Sequence, residues 1–96
     1  MAKAYWIGRV SITDPDTYPH YVAAAAAAFR KYSARFLVRG GTYEAIEGEA
    51  RARNVVIEFD SFEDALACYR SEEYQAAAAI RKSCAEGELV IVEGMA

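Results

Sequence analysis

The order in which two hydrophobic periods follow one another most limits what this chain can fold into. "AYWIGRVSI" alternates bulky apolar residues with small or polar ones and stops at "TDPD", which predicts a strand over Ala4–Ile12. Asp14 then supplies a side-chain oxygen and Pro15 a preset φ, the pairing that opens a helix as N-cap and first helical residue. Asp16 adds first-turn negative charge, which the helix dipole favours. Tyr18, Val22, Ala25, Phe29 and Tyr32 recur at three- and four-residue spacing and carry that helix to about Tyr32. "RFLVRGG" reads as a second strand left through Gly40-Gly41, followed by an irregular connection with a short strand over Tyr43–Ile46. "NVVIEFD" is the clearest strand in the chain. Ser61, with Asp64 three residues on, resembles a capping box and opens a second helix through Leu66 and Tyr69. At Ser71 the pattern restarts, with Glu72 and Glu73 in a new first turn, so this helix is expected to break or kink there. Gly87 is expected to end it, and "ELVIVE" to form the last strand.

That order is βαββαβ. Two split βαβ units build an α+β ferredoxin-like sandwich, an antiparallel sheet of strand order 4-1-3-2 with both helices on one face. At 96 residues the chain makes a single domain, 1–96, with no linker or low-complexity tract. A domain this small buries a limited share of its surface, so a second copy is a natural source of further burial. The alanine runs at 23–28 and 76–79 need no special account, because alanine is the best helix former. Eleven basic against fourteen acidic side chains leave a net charge of -3, which argues against a nucleic-acid partner. No apolar run approaches the roughly 20 residues of a membrane helix, and "MAKAYWIGRV" carries no signal-peptide pattern. A cytoplasmic protein is therefore expected, with Cys68 and Cys84 as reduced thiols on helices.

With both helices on one face, the other face of the sheet is solvated or covered. Alternation places Trp6, Gly8, Val10 and Ile12 on one side of the first strand, and Tyr5, Ile7, Arg9 and Ser11 on the other. Phe36 and Val38 oppose Arg35, Leu37 and Arg39, while Val55, Ile57 and Phe59 oppose Val56 and Glu58. The apolar sets are expected to face the helices, with Gly8 permitting a close approach. The second face mixes Tyr5, Ile7, Leu37 and Val56 with Arg9, Arg39 and Glu58, a patch of the kind that marks an interface. A homodimer packed sheet to sheet is the expected partner arrangement. Because the third strand lies between the first and the second, Glu58 is expected to pair with both Arg9 and Arg39 as a structural ion cluster.

The segments "AKAYWIGRVSITDP", "YSARFLVRGG", "EGEARARNVVIEF" and "ACYRSEEYQAAAAIRKSCAEGELVIVEG" together resemble the DUF1330 family of small bacterial proteins, and the resemblance covers essentially the whole chain. It implies the fold of the dimeric α+β barrel superfamily, and with it a back-to-back dimer. It implies no reaction. The wider superfamily, with its antibiotic-biosynthesis monooxygenases, haem-degrading enzymes, muconolactone isomerases and EthD-like proteins, commonly holds ligands between helices and sheet.

The residues themselves assign no catalytic group. His20, the single histidine, lies in the first helix and is either a base or ligand candidate or an exposed surface residue. One histidine and two distant cysteines give no metal-ligand spacing, and no cofactor is called for. The cysteines lack a neighbouring histidine to activate them, and Gly40-Gly41 lacks the lysine and helix start of a phosphate loop. Tyr18, Tyr32, Tyr69 and Tyr74 fall on inward helix stripes, with Trp6 on the facing strand. Such stripes form core, yet buried phenols need partners, and several hydroxyls beside small alanines can line a ligand cleft. Arg39 is a candidate both for that cleft and for the ion cluster, while Arg53 and Arg81 are either anion-binding groups or solvated charges. Two functions fit. One is a small-molecule protein holding an aromatic or acidic metabolite between sheet and helices, and the other is a non-catalytic dimeric interaction module.

Overall fold

The computed structural model describes residues 2–96. Its elements run β1 Ala4–Ile12, α1 Tyr18–Lys31, β2 Arg35–Arg39, β3 Arg53–Phe59, α2 Phe62–Arg70, α3 Glu72–Cys84 and β4 Ala85–Glu93. The four strands form one antiparallel sheet in the order β2-β3-β1-β4, the expected ferredoxin-like topology read from the opposite edge. Residues 42–47, and with them the short strand expected over Tyr43–Ile46, carry no regular structure. Arg51 pulls the end of this connection back onto the sheet, donating to both oxygens of Glu88 (2.9 and 2.7 Å) and to Ser11 Oγ.

Local chemistry decides where the helices begin and end. Helix α1 starts at Tyr18 rather than at Pro15, because the Asp14 carboxylate is consumed in the preceding turn. It accepts from the Asp16 and Thr17 amides and from Thr17 Oγ1 at 2.7 Å. Pro19 then occupies the first helical turn, where its missing N–H is not needed. The expected break at Ser71 is complete and yields two helices. Ser71 has extended backbone, its hydroxyl donates to the Cys68 carbonyl that ends α2, and its oxygen accepts from the Tyr74 amide that begins α3. Ser61 caps α2 as expected, accepting from the Asp64 amide at 3.0 Å. Gly87 does not end α3. That helix stops at Cys84, whose carbonyl accepts from the Thr13 and Asp14 amides. Gly87 lies inside β4 opposite Val10, where a Cβ would come within 2.2 Å of the Arg9 carbonyl oxygen.

The core lies between the sheet and the helices and is centred on Trp6. Its ring meets Tyr74, Phe29 and Tyr69 edge-on at centroid distances of 4.8, 5.4 and 5.9 Å, and its Nε1 donates to the Ala65 carbonyl at 2.9 Å. Fully buried Ala65, Ala77 and Ala78 let α2 and α3 close down on this cluster. Helix α1 packs chiefly against α3. Burial pushes the Cys68 thiol up to about 12, so it stays protonated, and both cysteines are free.

One irregularity rearranges the open face. Phe36 pairs with Ile57, but the next pair is Val38 with Val56, a bulge that leaves Leu37 without a partner. Val38 thereby joins Val56 and Ile7 on the open face, and Arg39, paired with Val55, crosses to the helix face. The expected Arg9–Glu58–Arg39 cluster is replaced. Glu58 accepts from Arg35 Nε at 2.9 Å and from Tyr5 Oη at 3.2 Å, and Arg9 lies 3.6 Å from Glu88. Arg39 stacks on the Phe36 ring, 4.3 Å from its centroid.

Candidate ligand-binding cleft

Small residues leave space on the helix side of the sheet. Gly8 and Val10 of β1, Val55 and Ile57 of β3 and Leu89 of β4 form the floor of a cavity of about 380 Å³. A Cβ at Gly8 would meet Leu89 Cδ1 at an ordinary 3.7 Å, so this glycine leaves the floor low and open where a close helix approach was expected. Tyr18, Tyr21, Tyr74, Trp6 and Arg81 form the wall and roof, with Lys82 beside them; Glu86 and Glu88 also border the space, but their pairing with Ser11 and Arg9 turns their side chains to the open face. A second lobe, also about 380 Å³, shares Tyr18, Tyr21, Val55 and Ile57 and is bounded by Phe29, Phe36, Arg39 and Arg53.

The polar groups of this cleft are few and linked. Tyr21 Oη and Tyr74 Oη are 2.9 Å apart, and Arg81 Nη1 donates to the Tyr74 oxygen. The Arg81 guanidinium also lies 5.8 Å from the Tyr21 ring centroid and 6.0 Å from that of Tyr74. Burial holds the Tyr74 phenol well above the usual tyrosine range, reinforced by Tyr21, so it remains a neutral hydroxyl. Burial also raises Tyr18, against the opposing charge of Arg53, whose guanidinium sits 5.4 Å from the Tyr18 ring centroid. Arg53 Nε is buried without a hydrogen-bond partner. Among the described residues, Arg39, Arg53 and Arg81 form no ion pair.

Of the residues singled out from sequence, Trp6, Tyr18 and Tyr74 line the first lobe, and Arg39 lines the second with Tyr18. Tyr32 and Tyr69 pack against the core and line neither lobe, and His20 is exposed on α1 outside both. Tyr21 was not among the expected site residues. Its signal was present, since it follows Tyr18 by three positions and precedes Ala25 by four, on the same helix face. Arg81 follows Tyr74 by seven, two turns along the same face of α3, which separates it from a solvated charge.

The sequence profile of the domain of unknown function DUF1330 matches residues 3–95. The chain belongs to the DUF1330 family. No curated protein matches it. Among solved structures, this DUF1330 chain is similar to the RPA0582 protein of unknown function from Rhodopseudomonas palustris, with a TM-score of 0.80 and 15% identity over 99% of this chain and 84% of that one. It is also similar to SnoaB, a cofactor-independent oxygenase from Streptomyces nogalater, with a TM-score of 0.68 and 12% identity over 100% and 96% of the two chains. A third is a dimeric ferredoxin-like protein of unknown function from Thermobifida fusca, with a TM-score of 0.63 and 17% identity over 99% and 92%. At these identities the likeness is one of fold.

Proposed function

We propose that this DUF1330 protein is a cytoplasmic homodimer, paired through the open face of its sheet, that binds a small aromatic acid in the cleft beneath α1. The observation that carries the binding reading is Arg81. It is a half-buried cation with no carboxylate partner, tied to a tyrosine in the wall of an aromatic-lined cavity. An unpaired guanidinium at a desolvated position is stabilised by an anion, and an apolar cavity with a few placed polar groups is the usual form of a small-molecule site. The unpartnered Arg53 Nε and the stacked Arg39 give the second lobe the same character. The pairing reading draws on the row Val38–Val56–Ile7–Val90, whose members touch by strand pairing and of which Ile7, Val38 and Val90 are exposed. The Thermobifida fusca neighbour is also dimeric, which supports a dimer. SnoaB is a cofactor-independent oxygenase, and its likeness in fold alone assigns no reaction to this cleft.

Titration with 2-naphthoate, followed by NMR, tests the binding. Trp6 is the one tryptophan, so its indole N–H gives a single resonance at the cavity wall. We expect that resonance and the Gly8 and Leu89 amides to shift, and Arg81→Gln to weaken binding roughly tenfold or more. Shifts scattered away from the cleft, with a dimeric mass intact by light scattering, would favour the interaction-module reading. A mass near one protomer at micromolar concentration would remove the dimer.

A further inference from the structure

The hydroxyls and the guanidinium of the first lobe have a direction. A guanidinium carries only donors, so in the bond between Arg81 and Tyr74 the phenol oxygen is the acceptor. The proton on Tyr74 must then go elsewhere. Tyr74 is 1% exposed, and the acceptor within reach of its hydroxyl is Tyr21 Oη at 2.9 Å. A buried hydroxyl proton without an acceptor is costly, which fixes Tyr74 as donor and Tyr21 as acceptor. Tyr21 therefore keeps its own proton free. Its ring is half-buried and lines both lobes, so that proton is available to the space a ligand would fill.

We infer that Tyr21 is the ligand-facing donor of a one-way chain, Arg81 to Tyr74 to Tyr21, and that the cleft thereby selects an acceptor headgroup, a carboxylate or a conjugated carbonyl, over an ammonium. The inference rests on the cleft being a ligand site and adds which atom meets the ligand. Successive bonds in such a chain polarise one another, and the first donor is a full positive charge, so the terminal hydroxyl is a stronger donor than an isolated phenol. An ammonium headgroup would find the Tyr21 oxygen already accepting from Tyr74, and would meet it beside the positive charge of Arg81. The negative side chains near this lobe do not reverse the preference at Tyr21. Glu88, held by Arg51 and Arg9, and Glu86, paired with Ser11, both carry their carboxylates on the opposite face of the sheet.

Two measurements test this, one without a ligand. Neutron diffraction from perdeuterated crystals of the free protein should place the Tyr74 deuteron toward Tyr21 and the Tyr21 deuteron toward the cavity. A Tyr21 deuteron directed at Tyr74 overturns the chain. The second measurement compares 2-naphthoate with 2-naphthylmethylammonium on the wild type and on Tyr21→Phe. The carboxylate should bind more tightly to the wild type, and Tyr21→Phe should weaken it roughly tenfold or more, as expected for a hydrogen bond to a charged group. Equal affinities for the two probes, or a Tyr21→Phe variant that binds naphthoate as the wild type does, overturn the inference while leaving the cleft a ligand site. If neither probe moves the Trp6 resonance, the ligand-site reading falls instead, and the deuteron positions alone decide the chain. Should Tyr21→Phe fail to fold, the wild-type preference between the two probes and the neutron map together still support or overturn the chain.

Discussion

The layer between helices and sheet has a solid half and a hollow half, built from the same strands. At one end Ala4 and Phe59, paired across β1 and β3, are fully buried beneath Ala65 and Cys68. At the other end Gly8 and Val55, also paired, form the floor of the cavity under Tyr18 and Tyr21. Trp6 stands at the border, packed on Phe59 and yet part of the cavity wall. The backbone pairing is continuous across both halves, so the difference lies in side-chain volume and in what roofs the space. Over the solid half fully buried Ala65 and Cys68 let α2 reach the strands, whereas over the hollow half Tyr18, Tyr21 and Tyr74 carry polar tips that need partners. A core that needs only density is finished by small residues. An open space remains where aromatic side chains stand off from a floor of glycine and valine.

Deleting volume in the solid half should give the largest effect. Phe59→Ala removes a fully buried ring against Trp6, and large-to-small changes of this kind cost about 3–5 kcal/mol. Urea unfolding should show that loss with an unchanged m-value, and a loss below about 1 kcal/mol would erase the distinction between the halves.

The solid half was the more legible from sequence. Period-two alternation fixed the helix-facing sets of β1 and β3, because a buried face tolerates no slip of register. The hollow half depended on features that patterns carry poorly. The bulge after Phe36 arises from local backbone geometry, and it alone moved Arg39 from the open face to the cleft. The Arg9–Glu58–Arg39 cluster failed for the same reason, since it assumed an unbroken ladder along β2. Gly87 departs from expectation because a glycine after a helix pattern can mark its end or a close strand approach, and only the partner strand tells them apart. Whether an alanine face closes on a sheet or stands off from it depends on packing from all sides, which no single segment encodes.

Filling the hollow half should have a smaller effect on stability, of the opposite sign. Gly8→Val places a β-branched side chain on a strand, over open space, with its Cβ at ordinary contact distance from Leu89. Removing the entropy cost of a strand glycine should stabilise the fold by up to about 1 kcal/mol. The same side chain enters the cavity, so 2-naphthoate should bind more weakly. A variant that is destabilised as strongly as Phe59→Ala would mean that this end of the layer is as densely packed as the other.

The smallest expected effect separates the two halves from behind, on the open face. Behind the solid half Glu58 is clamped by Arg35 and Tyr5, and behind the hollow half Glu88 is held by Arg51 and Arg9. The guanidinium of Arg35 holds the Glu58 carboxyl below its ordinary range, and that of Arg51 does the same for Glu88. A carboxylate whose folded pKa is depressed stabilises the protein above its unfolded value, about 4, and loses that contribution as pH falls through the folded one. The side chain of Glu58 is 18% exposed and that of Glu88 58%, so solvent screens the second far more. Urea unfolding measured from neutral pH down to about pH 3 should therefore flatten in Glu58→Gln and follow the wild type closely in Glu88→Gln. Equal flattening in both variants would show that the two halves are braced alike, and that only the packing on the helix side distinguishes them.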